Sequence, residues 1–196
     1  MPTENRLVDQ LSLTPNLLSI SRLLSAPLFG FIFFSEGWWP IPAAFIILSL
    51  AQTTDYWDGR IARSTGQVSD YGKLLDPLAD FIFYMTVFAC FVWLGIIPGW
   101  MYGLIISREI FMNFILRPFI KRRGIILAAR LSGKIKTAVQ GTVASLILLF
   151  LFLENQGVSG AGLFGGLCYW MMALVVVCSL GSLGEYLWDL KSCLNR

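Results

Sequence analysis

The sequence predicts an all-α polytopic membrane protein, with six transmembrane helices and a short amphipathic N-terminal surface helix. Three observations carry that expectation. Hydrophobic residues fill 56% of the 196 positions and charged residues only 14%, where a soluble domain carries about 25% charged residues. Mean hydropathy is +0.69, and six spans of roughly 20 residues would use about 120 positions and leave only short loops. All fifteen lysines and arginines fall on one side of such a bundle. A soluble enzyme, a disordered binder and a secreted disulfide scaffold are disfavoured together, and residues 1–196 read as one membrane domain.

Taken in order, the start MPTENRLVDQLSL is polar, with Leu7, Leu11 and Leu13 interleaved. That pattern suits a helix lying on the membrane surface and lacks the apolar core of a cleavable signal. Hydropathy then places spans at 17–35, 40–63, 74–97, 100–120, 132–153 and 163–187. The connectors SEGWWP, IPGW and ENQGVSGAG hold no Lys or Arg, whereas the 63–73 loop, the 117–136 stretch and both termini do. The positive-inside rule puts both termini and the two basic loops in the cytoplasm, in an integral cytoplasmic (inner) membrane protein. Trp38, Trp39, Trp100 and Tyr102 mark the opposite interface. The net charge of +3 needs no nucleic acid partner to explain it.

The available chemistry is narrow. There is no histidine, so imidazole catalysis and His-ligated zinc are excluded, and Cys90, Cys168, Cys178 and Cys193 are scattered without paired spacing. Against that background the stretch DYWDGRIARSTGQVSDYGKLLDPLAD, residues 55–80, stands out. Asp55 and Asp58 are three apart and Asp76 and Asp80 four apart, so each pair shares a helix face. The second span runs inward and the third outward, which brings both pairs to a similar depth near the cytoplasmic interface. Four carboxylates in a low dielectric repel one another unless cations neutralise them. A set with no His or Cys favours hard ions, Mg²⁺ or Mn²⁺, and two such ions about 4 Å apart suit phosphate chemistry. Ordinary interfacial acids paired with Arg60, Arg63 and Lys73 are the plainer alternative.

The pattern Asp55-x2-Asp58-Gly59-x2-Ala62-Arg63-x8-Gly72-x3-Asp76-x3-Asp80 resembles the complete signature of the CDP-alcohol phosphatidyltransferase family. The resemblance implies a six-helix enzyme, usually a homodimer, that moves a phosphatidyl group from a CDP-linked lipid to a hydroxyl and releases CMP. It implies that Asp55, Asp58, Asp76 and Asp80 hold two metal ions, with Asp80 also the general base. Gly59, Ala62, Arg63, Gly72 and Asn16 would line the CDP-lipid site.

Flanking motifs are similar to the branch whose acceptor is glycerol 3-phosphate: TPNLLSISRLLSAPLF with Arg22, SREI at Ser107–Ile110, SGKIKTAVQ at Ser132–Gln140, and GSLGEYL. Arg108 lies nine residues before Arg117, about 13 Å deeper in the fourth span, too far to snorkel. Lys134 and Lys136 open the fifth span, where cations do not suit the helix dipole. Arg108, Lys134 and Lys136 thus read as a pocket for the phosphate of a small phosphorylated polyol, to which the resemblance adds Arg22 and, out of step, Arg117. In the members this chain resembles, a second arginine follows the SREI arginine by eight residues. Here position 116 is Leu and the arginine is Arg117. Either the helix adjusts locally or Arg117 does another job. Inositol phosphate, serine and phosphatidylglycerol remain open as acceptors. Intramembrane acids also suit a divalent-cation transporter, the competing class, although the outer halves of the spans carry almost no polar track.

Overall fold

The computed structural model describes residues 14–65, 72–122, 131–158 and 161–194, with side chains over 19–54, 77–120, 131–158 and 164–192. The surface helix expected before residue 16 lies outside the described residues. So do the side chains of Asn16, Asp55, Asp58, Gly59, Ala62, Arg63, Gly72 and Asp76. All regular secondary structure among the described residues is helical, and no strand occurs there. The helices are α1 (Thr14–Phe33), α2 (Pro40–Thr65), α3 (Gly72–Trp93), α4 (Gly99–Ile110), α5 (Arg117–Arg122), α6 (Leu131–Asn155) and α7 (Ala161–Leu194), with a π-helical turn, Phe111–Leu116, joining α4 to α5. The chain forms two compact units, residues 1–90 and 91–196.

In the first unit α1 packs along α2. Ala26, Ala44, Ala51 and Ala79 are buried, and small side chains at such positions let helix backbones approach closely. Phe29 fills the space that remains, stacked on Phe33 at 5.6 Å and meeting Phe83 of α3 edge-on at 6.0 Å. In the second unit α6 packs on α7 and α4 packs on α7. Ile147, Leu148, Met172 and Val175 form the fully buried centre.

Many large apolar side chains face outward, among them Leu24, Phe31, Ile46, Trp93, Trp170 and Val177. A water-soluble surface of this size would aggregate, whereas lipid tails accept it. By length and composition Leu131–Asn155 and Phe164–Ser192 can each cross a membrane, and Ser19–Phe33, Pro40–Thr54 and Pro77–Trp93 are shorter apolar stretches. The last helix runs to Leu194, beyond the expected end at 187, because nothing between Gly181 and Leu194 breaks it.

The helix carrying SREI is locally adjusted. The Phe111 N–H donates to the Ser107 and Arg108 carbonyls in the ordinary way, but the Arg117 N–H donates to the Met112 carbonyl, five residues back. The buried side of this helix runs Met101, Ile105, Arg108, Met112, Leu116, Ile120. At about 100° per residue, an unbroken α-helix would rotate Leu116 and Ile120 by roughly 60° and 100° from Met101. A turn that absorbs one extra residue returns them to within about 40°. They then pack with Met112 and Leu190 in one buried cluster.

Helix ends are set by left-handed glycines. Gly95, at φ 71, ends α3 with its N–H on the Val92 carbonyl at 2.9 Å and the Ile96 N–H on the Phe91 carbonyl at 3.0 Å, a Schellman motif. No atom lies within 4 Å of a Cβ added at Gly95 or at Gly103 inside α4, so backbone conformation alone decides the two substitutions. Gly95→Ala is expected to lower stability by about 1 kcal/mol. Gly103→Ala should raise it by a similar amount, about 0.5–1 kcal/mol. Thermal unfolding of the detergent-purified protein checks both signs.

Candidate active site

Helical spacing positions the acids. Asp55 and Asp58 sit one turn apart on α2, and Asp76 and Asp80 one turn apart on α3. Asp80 is the member of this group whose side chain is described. Arg22 of α1 donates through NH1 to Asp80 Oδ1 in a short ion pair. Its NH2 lies 3.4 Å from Thr54 Oγ1 on α2. Arg22 is 2% exposed, while the Asp80 carboxylate is 30% exposed. One guanidinium therefore ties the three helices of the first unit together. It holds the carboxylate from its buried side and leaves it approachable from the other. Arg22, expected on the acceptor phosphate, is placed here on Asp80.

The second unit carries a separate charged cluster. Arg108 and Glu109 of α4 are each 7% exposed and Lys136 of α6 is 9% exposed. Arg108 NH1 donates to Glu109 Oε1 at 2.8 Å, and Lys136 Nζ donates to the same oxygen in a shorter contact. Arg108 NH2 donates to Ser182 Oγ of α7 at 2.9 Å. Two cations thus converge on one carboxylate, and among the described residues the buried cluster keeps an excess positive charge. Arg108 Nε is also buried with no hydrogen-bond partner among the described residues, as is Ser179 Oγ, one turn before Ser182. Each such orphan costs about 1–3 kcal/mol until a partner arrives. An oxyanion would satisfy both the charge and the donor.

Lys134 is exposed and stands apart from this cluster. Two residues rotate a helical side chain by about 200°, so Lys134 and Lys136 leave α6 in nearly opposite directions. Arg117 is exposed too, with NH1 on Asn113 Oδ1 at 2.9 Å. Thr54, Ser179 and Ser182 were not singled out by sequence. Ser182 falls within GSLGEYL, but its partner is 74 residues away, and no local pattern announces such a contact.

Glu109 is the one neutralising group between the two buried cations among the described residues. Glu109→Gln should therefore cost about 3–5 kcal/mol of stability, as breaking a buried ion pair does. Adding Lys136→Met should recover part of that loss, because one unpaired cation is removed as well. Thermal unfolding of the single and double variants measures both.

The CDP-alcohol phosphatidyltransferase family model matches residues 12–181, a range that takes in the acid signature and the Arg108–Glu109–Lys136 cluster. A CDP-diacylglycerol–glycerol-3-phosphate 3-phosphatidyltransferase of Bacillus subtilis is 35% identical over 147 residues, 69% of this chain and 76% of that one. A probable phosphatidylglycerophosphate synthase of Mycobacterium tuberculosis is 34% identical over 137 residues, 68% and 65% of the two chains. A cardiolipin synthase (CMP-forming) of Streptomyces coelicolor is 32% identical over 124 residues, 59% and 55%. The chain thus spans between about half and three quarters of the length of these curated relatives. With the family model covering most of its length, the chain belongs to the CDP-alcohol phosphatidyltransferase family.

Proposed function

We propose that this protein transfers the phosphatidyl group of CDP-diacylglycerol to glycerol 3-phosphate, releasing CMP and forming phosphatidylglycerol phosphate. The observation that carries the acceptor half of this reading is the excess buried cation at Arg108 and Lys136, with an unpartnered Arg108 Nε. A phosphate monoester brings the charge and oxygens that this cluster lacks. The relatives named for glycerol 3-phosphate support the same acceptor.

The donor half rests on the acid signature. Asp55, Asp58, Asp76 and Asp80 form an all-carboxylate donor set with no imidazole or thiolate, which fits a hard divalent cation. When bound, two Mg²⁺ or Mn²⁺ ions held there supply orientation of the diphosphate and neutralisation of charge on departing CMP. Asp80 accepts the proton of the acceptor hydroxyl as its oxygen bonds to the phosphatidyl phosphorus and the bond to CMP breaks. Arg22 orients the Asp80 carboxylate for that role. Asn16, Gly59, Ala62, Arg63 and Gly72 line the CDP-lipid site, with Arg63 on its phosphate. Lys134 and Arg117 stand nearer the solvent side of the acceptor path than Arg108 and Lys136.

The family fold is read here as one domain of six spans behind a surface helix, paired as a homodimer. Both termini and the active site face the cytoplasm. The one-sided lysines and arginines and the outward apolar side chains support this topology.

The test is CMP release by the purified protein, assayed with glycerol 3-phosphate, inositol 1-phosphate, serine, phosphatidylglycerol and free glycerol. Glycerol 3-phosphate should be strongly preferred, activity should vanish with chelator and return with Mg²⁺ or Mn²⁺, and Asp80→Asn should abolish transfer while CDP-lipid still binds. Preference for serine or glycerol would refute the phosphate pocket. Preference for inositol phosphate would keep the pocket and change the acceptor. Activity undiminished after verified metal removal would refute the metal reading.

A further inference from the structure

The end of the second unit away from Arg108 and Lys136 holds a cavity of about 460 Å³, within the range of roughly 300–1,000 Å³ that suits small ligands. It opens between the turn that ends α3, the last turns of α6 and the first turns of α7. Ile147 and Cys168, both buried, line it, and so do Phe150 and Phe164, whose rings stack at 5.1 Å. Glu154 is the one charged residue in its lining, and it is exposed. Eighteen residues of α6 separate Glu154 from Lys136, about 27 Å of helix, close to the thickness of a hydrocarbon core. The cavity therefore opens at the opposite membrane face from the charged cluster. Trp93, Trp100 and Trp170 are exposed and stand within two residues of its lining, and exposed indoles collect at the level of lipid headgroups.

Glu154 is poorly placed for stability. It sits in the last turn of α6, which holds no basic residue, and a carboxylate there opposes the helix dipole. No lysine or arginine lies between Lys73 and Arg108, or between Lys136 and Lys191. The elements that form the cavity thus bring no side-chain cation to Glu154. Water would satisfy the acid, but it does not suit the apolar walls beside it. A ligand that meets both must be apolar over much of its length and cationic at one end.

We propose that this cavity binds a membrane phospholipid whose headgroup ends in a primary ammonium, with that ammonium on Glu154 and apolar parts of the molecule against Ile147, Phe150 and Cys168. A primary ammonium donates charge-assisted hydrogen bonds to a carboxylate, whereas a quaternary one has no N–H to donate. The site takes no part in phosphatidyl transfer, so lipid binding and CMP release are separate readouts.

Thermal unfolding of the full-length protein, purified in detergent and stripped of lipid, tests it. Phosphatidylethanolamine is titrated with saturating CDP-diacylglycerol present, which fills the substrate site. Tm should rise in a saturable way. Phosphatidylcholine and phosphatidylglycerol should each need about ten times more lipid for the same shift, and Glu154→Gln should weaken phosphatidylethanolamine by about tenfold, as expected for one charge-assisted contact. A Cβ added at Gly165, which lines the cavity, or at Gly166, which does not, meets no atom within 4 Å. Gly165→Leu should therefore fill the cavity and abolish the shift, while Gly166→Leu leaves it intact. CMP release should stay within about twofold of the parent in all three variants. An equal response to the three lipids, or no response to any, overturns the proposal. So does a full shift in Gly165→Leu. A parallel loss of CMP release in Glu154→Gln and Gly165→Leu would place the bound lipid in the substrate site and overturn it as well. If Gly165→Leu does not fold, Glu154→Gln decides: unchanged affinity for phosphatidylethanolamine overturns the proposal.

Discussion

Two cations buried on one carboxylate are the constraint around which the second unit is arranged. Arg108 and Lys136 both donate to Glu109 Oε1, from positions 28 residues apart on separate helices, and Arg108 also reaches Ser182 on α7. An apolar chain would not retain such a group for stability alone, because desolvating two cations for one partner costs more than the Coulomb attraction returns. An anion completing the cluster, as proposed for the acceptor phosphate, would make the arrangement favourable. The contacts of Arg108 and Lys136 with Glu109 and Ser182 join α4, α6 and α7 around this group.

The first unit handles charge in the opposite way. Arg22 is wholly enclosed and closes on Asp80, with Thr54 alongside, so the guanidinium is spent inside the protein. Its function is positional. It fixes α1, α2 and α3 at the level of a carboxylate that stays partly exposed. The contrast between one arginine on one carboxylate in the first unit and two cations sharing one carboxylate in the second fits the proposed division of labour, proton removal at Asp80 and anion capture at Arg108.

Much of this was legible in the sequence, for identifiable reasons. Helices fall near the expected apolar runs because those runs are interrupted by turn residues such as Gly95 and Gly157, whose backbone is left-handed, although only two of the described helices are long and apolar enough to cross a membrane. The helical offsets of the acids were legible because α2 and α3 carry each pair one turn apart, although three of those side chains lie outside the described residues. The burial of Arg108 was legible from its depth below Arg117. The oddity at Arg117 was visible as a one-residue displacement, and the π-turn is its physical counterpart. What sequence did not separate was Lys134 from Lys136, since only packing decides which lysine of a helix start turns inward. Nor did it announce Arg22 on Asp80 or Arg108 on Ser182, because pairings 58 and 74 residues apart leave no local pattern.

The most direct measurement of the central claim is the thermal stability of the purified protein as a function of added anion. If the Arg108–Lys136 cluster is completed by a phosphate, glycerol 3-phosphate should raise Tm in a saturable way, by several degrees at about 100 times Kd, where binding stabilises by about 2.7 kcal/mol. Glycerol at the same concentration should do nothing, and Lys136→Met should abolish the shift. An equal response to glycerol, or a full glycerol 3-phosphate shift in Lys136→Met, would contradict the account.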